Sequence, residues 1–294
     1  VNYTYADRYV LTVNARTDAS SKFGANHKWG FFPSVSAAWN ITSEKFMRRL
    51  SWIDNLKLRV GYGLAGNQGG IDSYTTMNLV RPNGVAPVGN SPVVTYETLR
   101  NINPDLKWEV KHTFNAGLDI GLYGNRLLLS VNYYNSKTTD MLYNYRVSVP
   151  PFTYNTLLAN IGSMRNSGTE ISVGITPLKT KDMELNINAN ITFQKNKLLS
   201  LSGMYNGEYV SASEYTVIAG LNGAGFHGGY NNIVYQIVGQ PLGVFYLPHC
   251  TGLVPDGNGG YTYGIADLNG GGVNLEDGED RYIAGQAVPK TLLG

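Results

Sequence analysis

The segment from residue 267 to residue 280 has part of the spacing of a calcium-binding loop. Asp267 and Asn269 stand at positions 1 and 3 and Gly272 at position 6, as in loops that surround calcium with side-chain oxygens. Gly271 supplies no side chain at position 5, and no glutamate stands at position 12. The segment is therefore predicted to be either a calcium site or a solvated acidic turn, which the missing ligands favour. The candidate metal ligands are Asp267, Asn269, Asp277 and Asp280.

Other reactive residue types lack the partners that catalysis requires. His249 and Cys250 are adjacent, but a metal site or a nucleophile–base pair needs further groups at defined positions. The glycine-rich residues 63–70 contain no lysine that would complete a phosphate-binding loop. The carboxylates do not form a pair at a recognisable glycosidase spacing. We therefore predict no catalytic residues, no nucleotide site and no enzyme activity.

Tyrosines recur in the long segments between the regular patterns of the chain. Sugar rings present C–H faces that stack on aromatic side chains, and asparagine side chains both donate to and accept from hydroxyl groups. The alternative is that these rings pack within loops or against a partner protein. The candidate substrate-binding residues are Tyr74, Tyr96, Tyr205, Tyr209, Tyr215 and Tyr230.

Apolar and polar residues alternate strictly along much of the chain, which predicts β-strands. These strands must therefore position the candidate residues. Between residues 183 and 194 every odd position is apolar and every even position is polar. Residues 107–122 alternate over a length of roughly 50 Å, whereas an ordinary globular strand has about 5–6 residues. Shorter alternating stretches lie at residues 9–16, 34–41, 56–63, 127–133 and 170–176.

The connections between these strands alternate in length. Residues 123–126 and 179–182 form tight turns, while 66–103, 146–165 and 201–232 are long excursions. In an up-and-down meander, every second connection lies at the same edge, so one edge has short turns and the other has long loops. That asymmetry is typical of outer-membrane barrels, with an apolar face toward lipid and a polar face toward a wet lumen. A large soluble β-sandwich or β-solenoid is the alternative.

Aromatic residues near the strand ends fit the interfacial girdles of such a barrel. They are Trp29, Trp108, Tyr123, Tyr133, Tyr143 and Tyr145.

Composition agrees with a large β protein and excludes other classes. The 294 residues include 35 Gly and 21 Tyr, and only 15% are charged, against about 25% in average proteins. The net charge of +2 gives no basic field for nucleic acid, and one cysteine excludes an intrachain disulfide framework. A hydrophobic fraction of 43% excludes disorder, and no run of 18 apolar residues predicts a transmembrane helix.

Six blocks resemble, in order, those of SusC/RagA-like TonB-linked outer-membrane transporters. Residues 5–23 resemble a strand that carries "RxDGSS", and residues 31–42 and 56–68 resemble "WFPSVSAGWRIS" and "LKLRASYGxTGNQ". Three further blocks of the chain resemble family blocks, namely "NPDLKWE", "NIGSMRNSGTEISV" and "GQPLGVFY". The family commonly has Asp where this chain has Gly271, so the resemblance weakens the calcium prediction.

The resemblance implies an all-β, antiparallel up-and-down transmembrane β-barrel of about 22 strands with a plug inside it. Residues 1–294 are expected to be an interior piece of about ten strands, without the plug and the TonB-contacting segment. The partners implied are a SusD-like surface lipoprotein acting as a lid, the TonB complex, outer-membrane lipid, and a glycan or peptide substrate. Nucleic acid is not an expected partner.

The resemblance implies import of oligosaccharides or peptides across the outer membrane of a Gram-negative bacterium. The alternative is a non-transporting outer-membrane barrel that serves as an adhesin or a structural anchor. An upstream plug with a TonB-contacting segment would favour import over the anchor. A soluble polysaccharide-binding β protein is a third class, which would stay in the aqueous fraction without detergent.

Overall fold

The structure, a computed structural model, describes residues 1–205, 207–211, 215–220, 232–274 and 280–294. The chain forms two compact units, the first made of residues 1–213 with 290–294 and the second of residues 214–289. The first ten strands are β1 Asn2–Tyr5, β2 Tyr9–Ala19, β3 Trp29–Asn40, β4 Ile53–Asn67, β5 Val80–Val88, β6 Ser91–Thr98, β7 Glu109–Leu122, β8 Leu127–Arg146, β9 Thr156–Lys179 and β10 Glu184–Ser200. The others are β11 Ser202–Tyr205, β12 Glu208–Ser211, β13 Tyr215–Gly220, β14 Asn232–Ile237, β15 Val244–Pro248, β16 Cys250–Pro255, β17 Tyr261–Ile265, β18 Arg281–Gln286 and β19 Thr291–Leu293.

The first unit is dominated by one antiparallel sheet, the main sheet, in the order β1-β2-β3-β4-β7-β8-β9-β10-β19. Its nine strands compare with the approximately ten predicted, and every alternating stretch of the sequence overlaps one of them. Strand β9 has 24 residues and β8 has 20, far above the usual length. The sheet is an open arc, with β1 and β19 at its two edges.

The strand register collects the apolar parity of all these strands on one face of the main sheet, the apolar face. One continuous cross-strand row on this face consists of Leu58, Leu118, Val131, Ile171, Ile191 and Leu293. Leu185 and Ile187 on the same face are 49% and 52% exposed, so they are not part of a dry protein core. The predicted alternation is confirmed, and large apolar side chains on this face remain exposed in the part of the chain that the structure describes.

The other face, the polar face, has glycine, hydroxyl, amide and charged side chains in its rows. One such row runs through Arg59, Gly117, Asn132, Glu170 and Thr192. Because the side-chain period of a strand is two, the register that aligns the apolar row aligns this polar row as well.

The connections alternate between short and long, as predicted. Residues 6–8, 123–126 and 180–183 form the short turns, and residues 41–52 hold two 3₁₀ turns, Ile41–Ser43 and Lys45–Arg49. Residues 20–28, 68–108, 147–155 and 201–290 connect strands at the opposite edge. Among the residues that the structure describes, no helix is long and apolar enough to cross a membrane.

Two of the predicted loops contain more regular structure than expected. The prediction that residues 146–165 are an excursion is wrong, because β9 begins at Thr156 and pairs with the end of β8. Register shifts near Asp140, whose φ is 55°, interrupt the alternation there and hide the strands from a search for period two. The long segment before β7 contains the hairpin β5–β6.

A small hydrophobic core, the outer cluster, forms in the first unit on the side of the long connections. Its buried members come from residues 20–28, β3 and the segments that flank the β5–β6 hairpin, and they are Phe23, Phe32, Ile71, Leu106 and Trp108. The Phe23 and Trp108 rings lie 4.8 Å apart, and Phe32 meets Trp108 edge-on at 5.5 Å. A Cβ at Gly24 would clash with the carbonyl oxygen of Pro104, so this close approach requires glycine.

The second unit consists of a four-stranded sheet, β13-β14-β15-β18, and the hairpin β16–β17. Its fully buried residues include Val244 and Asp280. The Tyr235 ring packs edge-on against Tyr246 at 5.5 Å.

Candidate functional site

The strongest polar network of the main sheet lies on its polar face, across β4, β7 and β8. The Arg59 guanidinium donates to both carboxylate oxygens of Asp119, from Nε at 2.7 Å and from Nη2 at 2.9 Å. The same Nη2 donates to the Asn132 amide oxygen at 2.8 Å, and the Ser130 hydroxyl donates to Asp119 at 2.8 Å. This bidentate ion pair, with its two neutral partners, holds both charged groups in fixed positions on the polar face.

Glycines on the polar face make room for this network. A Cβ at Gly117 would lie 2.5 Å from the Asn132 amide oxygen and 2.9 Å from Arg59 Nη2. A Cβ at Gly168 would lie 2.7 Å from the hydroxyl of Tyr134, its cross-strand neighbour. The glycines on the polar face thus leave space for larger polar side chains on the neighbouring strands. The sequence alone does not show which side chain uses the space beside each glycine.

At the edge of the main sheet with the short turns, one carboxylate, that of Glu44, joins β2 to β3. Glu44 accepts from the Tyr9 hydroxyl at 2.8 Å and from the Trp39 indole N–H at 3.1 Å, and Arg8 lies 3.3 Å away. The hydrogen bonds from Tyr9 and Trp39 lower the pKa of Glu44 below its usual range. On the same edge, the rings of Trp52 and Tyr123 stack at 6.2 Å.

The predicted girdle residues divide into two groups. Trp29, Tyr123 and Tyr133 are 73%, 61% and 43% exposed, as an interfacial position requires. Trp108 and Tyr145 are 8% and 0% exposed, so their assignment to a girdle is wrong. Both side chains lie within packed protein, and Trp108 also donates its indole N–H to the Lys28 carbonyl at 3.2 Å.

The six candidate tyrosines do not form one cluster. Tyr74 and Tyr96 belong to the region before β7 and are 62% and 64% exposed, and Tyr209 in β12 is 70% exposed. Tyr205 in β11 is half-buried, and its hydroxyl donates to the Asn103 amide oxygen at 3.1 Å. Tyr230 and the side chain of Tyr215 lie outside what the structure describes. The substrate-binding role of these residues stays a prediction.

The candidate metal ligands are occupied by backbone amides. Asp267 accepts from the N–H groups of Gly270 at 2.6 Å and Gly272 at 2.9 Å, which hold its pKa below the usual range. Buried Asp280 accepts from Leu268 and Asn274, both at 2.6 Å. Asn269 accepts from Gly271, and Asp277 lies outside the described residues. Within the described ranges, no three His, Cys, Asp or Glu residues are grouped closely enough to hold a metal ion. The calcium site stays a prediction.

Comparison with known proteins decides which barrel this sheet belongs to. The family model described as "TonB dependent receptor-like, beta-barrel" matches residues 1–285. The chain belongs to this family. Its members are outer-membrane proteins, so the apolar face of the main sheet meets lipid and the polar face turns to the barrel interior.

Individual relatives agree with the family assignment. The TonB-dependent receptor SusC of Bacteroides thetaiotaomicron is 31% identical over 100% of this chain, which covers 28% of SusC. A TonB-dependent receptor of Formosa agariphila is 37% identical over 69% of this chain, or 20% of that receptor. A structure of the RagAB peptide transporter superposes on 100% of this chain and 30% of its own, with 25% identity and a TM-score of 0.74. The chain thus spans less than a third of these relatives' length.

The strand register also shows what the sequence patterns missed. Arg59 and Asp119 each stand on the polar parity of a predicted strand, but they are separated by 60 positions. Only the antiparallel register of β4 with β7, in which Arg59 pairs with Gly117, brings them together. A charged residue of each sign on the polar parity of neighbouring strands is the signal that could have found the pair.

Proposed function

We propose that the protein imports oligosaccharides or peptides across the outer membrane in a TonB-dependent manner. A SusD-like surface lipoprotein serves as its lid, and the TonB complex supplies the energy. The main sheet forms part of the wall of the transport path, and binding groups lie on the long connections. The non-transporting adhesin or anchor is the outcome against which this proposal is tested.

The observation that carries the proposal is the continuous polar face. From β2 to β10 its rows have hydroxyl, amide and charged groups, including Arg59 and Asp119, in a fold whose other face is apolar. A polar wall inside an outer-membrane barrel is the setting in which hydrated solutes pass.

The names of the relatives support the choice of solute. SusC and the Formosa agariphila relative are named as TonB-dependent receptors, and the RagAB complex is named as a peptide transporter. These relatives are receptors or transporters and not enzymes. We propose no bond-breaking step on this chain, because the paired Asp119 and the amide-bound Asp267 have their carboxylates engaged in fixed hydrogen bonds.

Deletion of the gene tests the proposal. A deletion strain is grown on defined oligosaccharides and peptides as sole nutrient, beside the parent and a strain that carries the restored gene. We expect growth on at least one nutrient to be lost on deletion, to return with the gene, and to be lost also in a strain whose TonB is deleted. Undiminished growth and uptake of every glycan and peptide would support the anchor and contradict import.

A further inference from the structure

A polar cavity of about 210 Å³ lies in the first unit, beside the outer cluster. The segment after β4 lines it with Asp72 and Thr75, the segment before β7 with Arg100 and Asn103, and β8 and β9 with Asn144 and Thr156. Pockets that enclose a whole small-molecule ligand have about 300–1,000 Å³. This cavity therefore has room for one end group of a longer chain.

Its walls are fixed by hydrogen bonds from two asparagines. The Asn101 amide oxygen accepts from the backbone N–H groups of Thr153 and Tyr154, both at 3.1 Å, and its NH₂ group donates to the Thr156 carbonyl at 2.8 Å. Buried Asn103 donates to the Leu158 carbonyl at 2.9 Å and accepts from Asp105 N–H at 2.9 Å. A cavity whose walls are tied in this way is pre-formed, so a ligand does not have to order it.

Arg100 is the one cation that lines the cavity, and it has no counter-ion among the described residues. Its Nε is buried without a hydrogen-bond partner, while Nη2 donates to the Tyr74 carbonyl at 3.4 Å. No described residue accepts from Nη1, which is not among the buried atoms, so this end of the guanidinium can donate to an acceptor that enters the cavity. The planar guanidinium matches a carboxylate with two parallel donors.

The remaining groups at the cavity favour an acid that also carries polar substituents. The Asn144 side chain is exposed and makes none of the side-chain hydrogen bonds found in the described part of the chain, so it is free to bind a ligand. Asp72 is exposed and forms no ion pair with Arg100. Its carboxylate can accept from a hydroxyl or an ammonium group of the same ligand. Tyr74, a predicted substrate residue, is joined to this site through its carbonyl.

We propose that this cavity binds a carboxylate-bearing end group of the transported molecule, with Arg100 as the carboxylate ligand and Asn144 as a further hydrogen-bond donor. The inference rests on the proposed function, since it names the substrate class of the same importer. Two substrates have this chemistry, an oligosaccharide that ends in a uronic acid and a peptide with a free terminal carboxylate. The cavity recognises the acid, and the binding experiment identifies its source.

The experiment measures binding to the full-length protein, purified from outer membranes in detergent, by isothermal titration. The probes are trigalacturonate and its methyl ester, and a tetrapeptide and its C-terminal amide. We expect at least one free acid to bind, and its ester or amide counterpart, which lacks the carboxylate, to bind at least about tenfold more weakly. A preference for one acid assigns the source to a glycan or to a peptide.

Variants connect the binding to the cavity. Arg100→Gln is expected to weaken binding of the free acid by about tenfold or more, and Arg100→Lys by less, because lysine keeps the charge but not the fork. Arg81→Gln is the matched control, since Arg81 lies on the neighbouring β5, pairs with Glu97 at 2.7 Å and does not line the cavity. Heat-modifiable migration on gels verifies that each variant is folded.

The proposal is overturned if neither free acid binds, if acid and uncharged probe bind equally, or if Arg100→Gln binds like the parent. These outcomes differ from a failure of import. A strain that takes up a nutrient while no acid binds would retain the importer and lose this site. An acid that binds to a protein whose deletion affects no uptake would retain the site and lose the importer.

Discussion

The main sheet forms a wall of the barrel, and this wall uses the same apolar residue types as the outer cluster in the opposite way. On the wall, Leu185 and Ile187 are about half exposed among the described residues. In the outer cluster, Leu106 and Ile71 are 0% and 2% exposed and pack around the Trp108 ring. The wall is a surface made for lipid, whereas the cluster is a small core of the kind found in soluble proteins.

This difference indicates what stabilises each region. Backbone ladders between long neighbouring strands hold the wall, so single side chains contribute little unless they face the wrong solvent. The cluster joins two long connections and β3 through a few large side chains, so it depends on each of these side chains. The cavity around Arg100 shares Leu106 with the cluster, so the binding site depends on the region that is easier to disrupt.

Truncation of one leucine in each region should give the largest difference in stability between the wall and the outer cluster. Leu106→Ala is expected to cost about 2–5 kcal/mol in the local opening of its segment, because it leaves a cavity in a packed core. Leu185→Ala on the lipid face is expected to cost less, because lipid fills the space and no cavity remains. Hydrogen exchange of the full-length protein in bilayers measures both. Equal effects of the two changes would contradict the distinction between the regions.

Arginine substitutions on adjacent residues of β9 should sharpen the contrast between the two faces of the wall. Val173 neighbours Leu129 and Ala189 on the apolar face, whereas Ser172 neighbours Ser130 and Asn190 on the polar face. Val173→Arg is expected to lower the free energy of unfolding in bilayers by about 2–4 kcal/mol, the cost of an arginine toward lipid near the midplane. Ser172→Arg, its control, should have an effect below about 1 kcal/mol. A larger loss with Ser172→Arg would reverse the assignment of the faces.

The short-turn edge of the wall should show a smaller, pH-dependent effect. The pKa of Glu44 is lower in the folded protein than its ordinary 4.5, so its hydrogen bonds to Tyr9 and Trp39 stabilise the fold above that pH. This stability is lost as the pH falls below about 4.5 and the carboxylate takes up a proton. The difference in unfolding midpoint between the parent and Glu44→Gln should therefore shrink in acid. A difference in unfolding midpoint that is constant from pH 7 to pH 3 would count against this role of the Glu44 carboxylate.

The sequence predicts the wall better than the cluster for a physical reason. Lipid on one side and water on the other impose period two on every strand, and residues 183–194 show it without exception. To predict the pairing of Arg59 with Asp119, the strand register must also be known, because the sequence around either residue does not indicate its partner. The burial of Trp108 and Tyr145 was missed, because a tyrosine or tryptophan near a strand end fits a membrane interface and a protein core equally well.

The central claim is that alternate side chains of β10 meet lipid and the barrel interior. It is tested most directly on Ile187 and its neighbour Asn188, which pair with Ile175 and Gly174 of β9. Native cysteines of the full-length protein are first replaced, Cys250 by serine among them. A single cysteine is then introduced at position 187 or 188 and labelled with a fluorophore, and the labelled protein is reconstituted in bilayers. The account predicts that brominated acyl chains quench the label at 187 and that aqueous iodide quenches the label at 188. Quenching of the 187 label by iodide, with the 188 label quenched by lipid, would contradict the account.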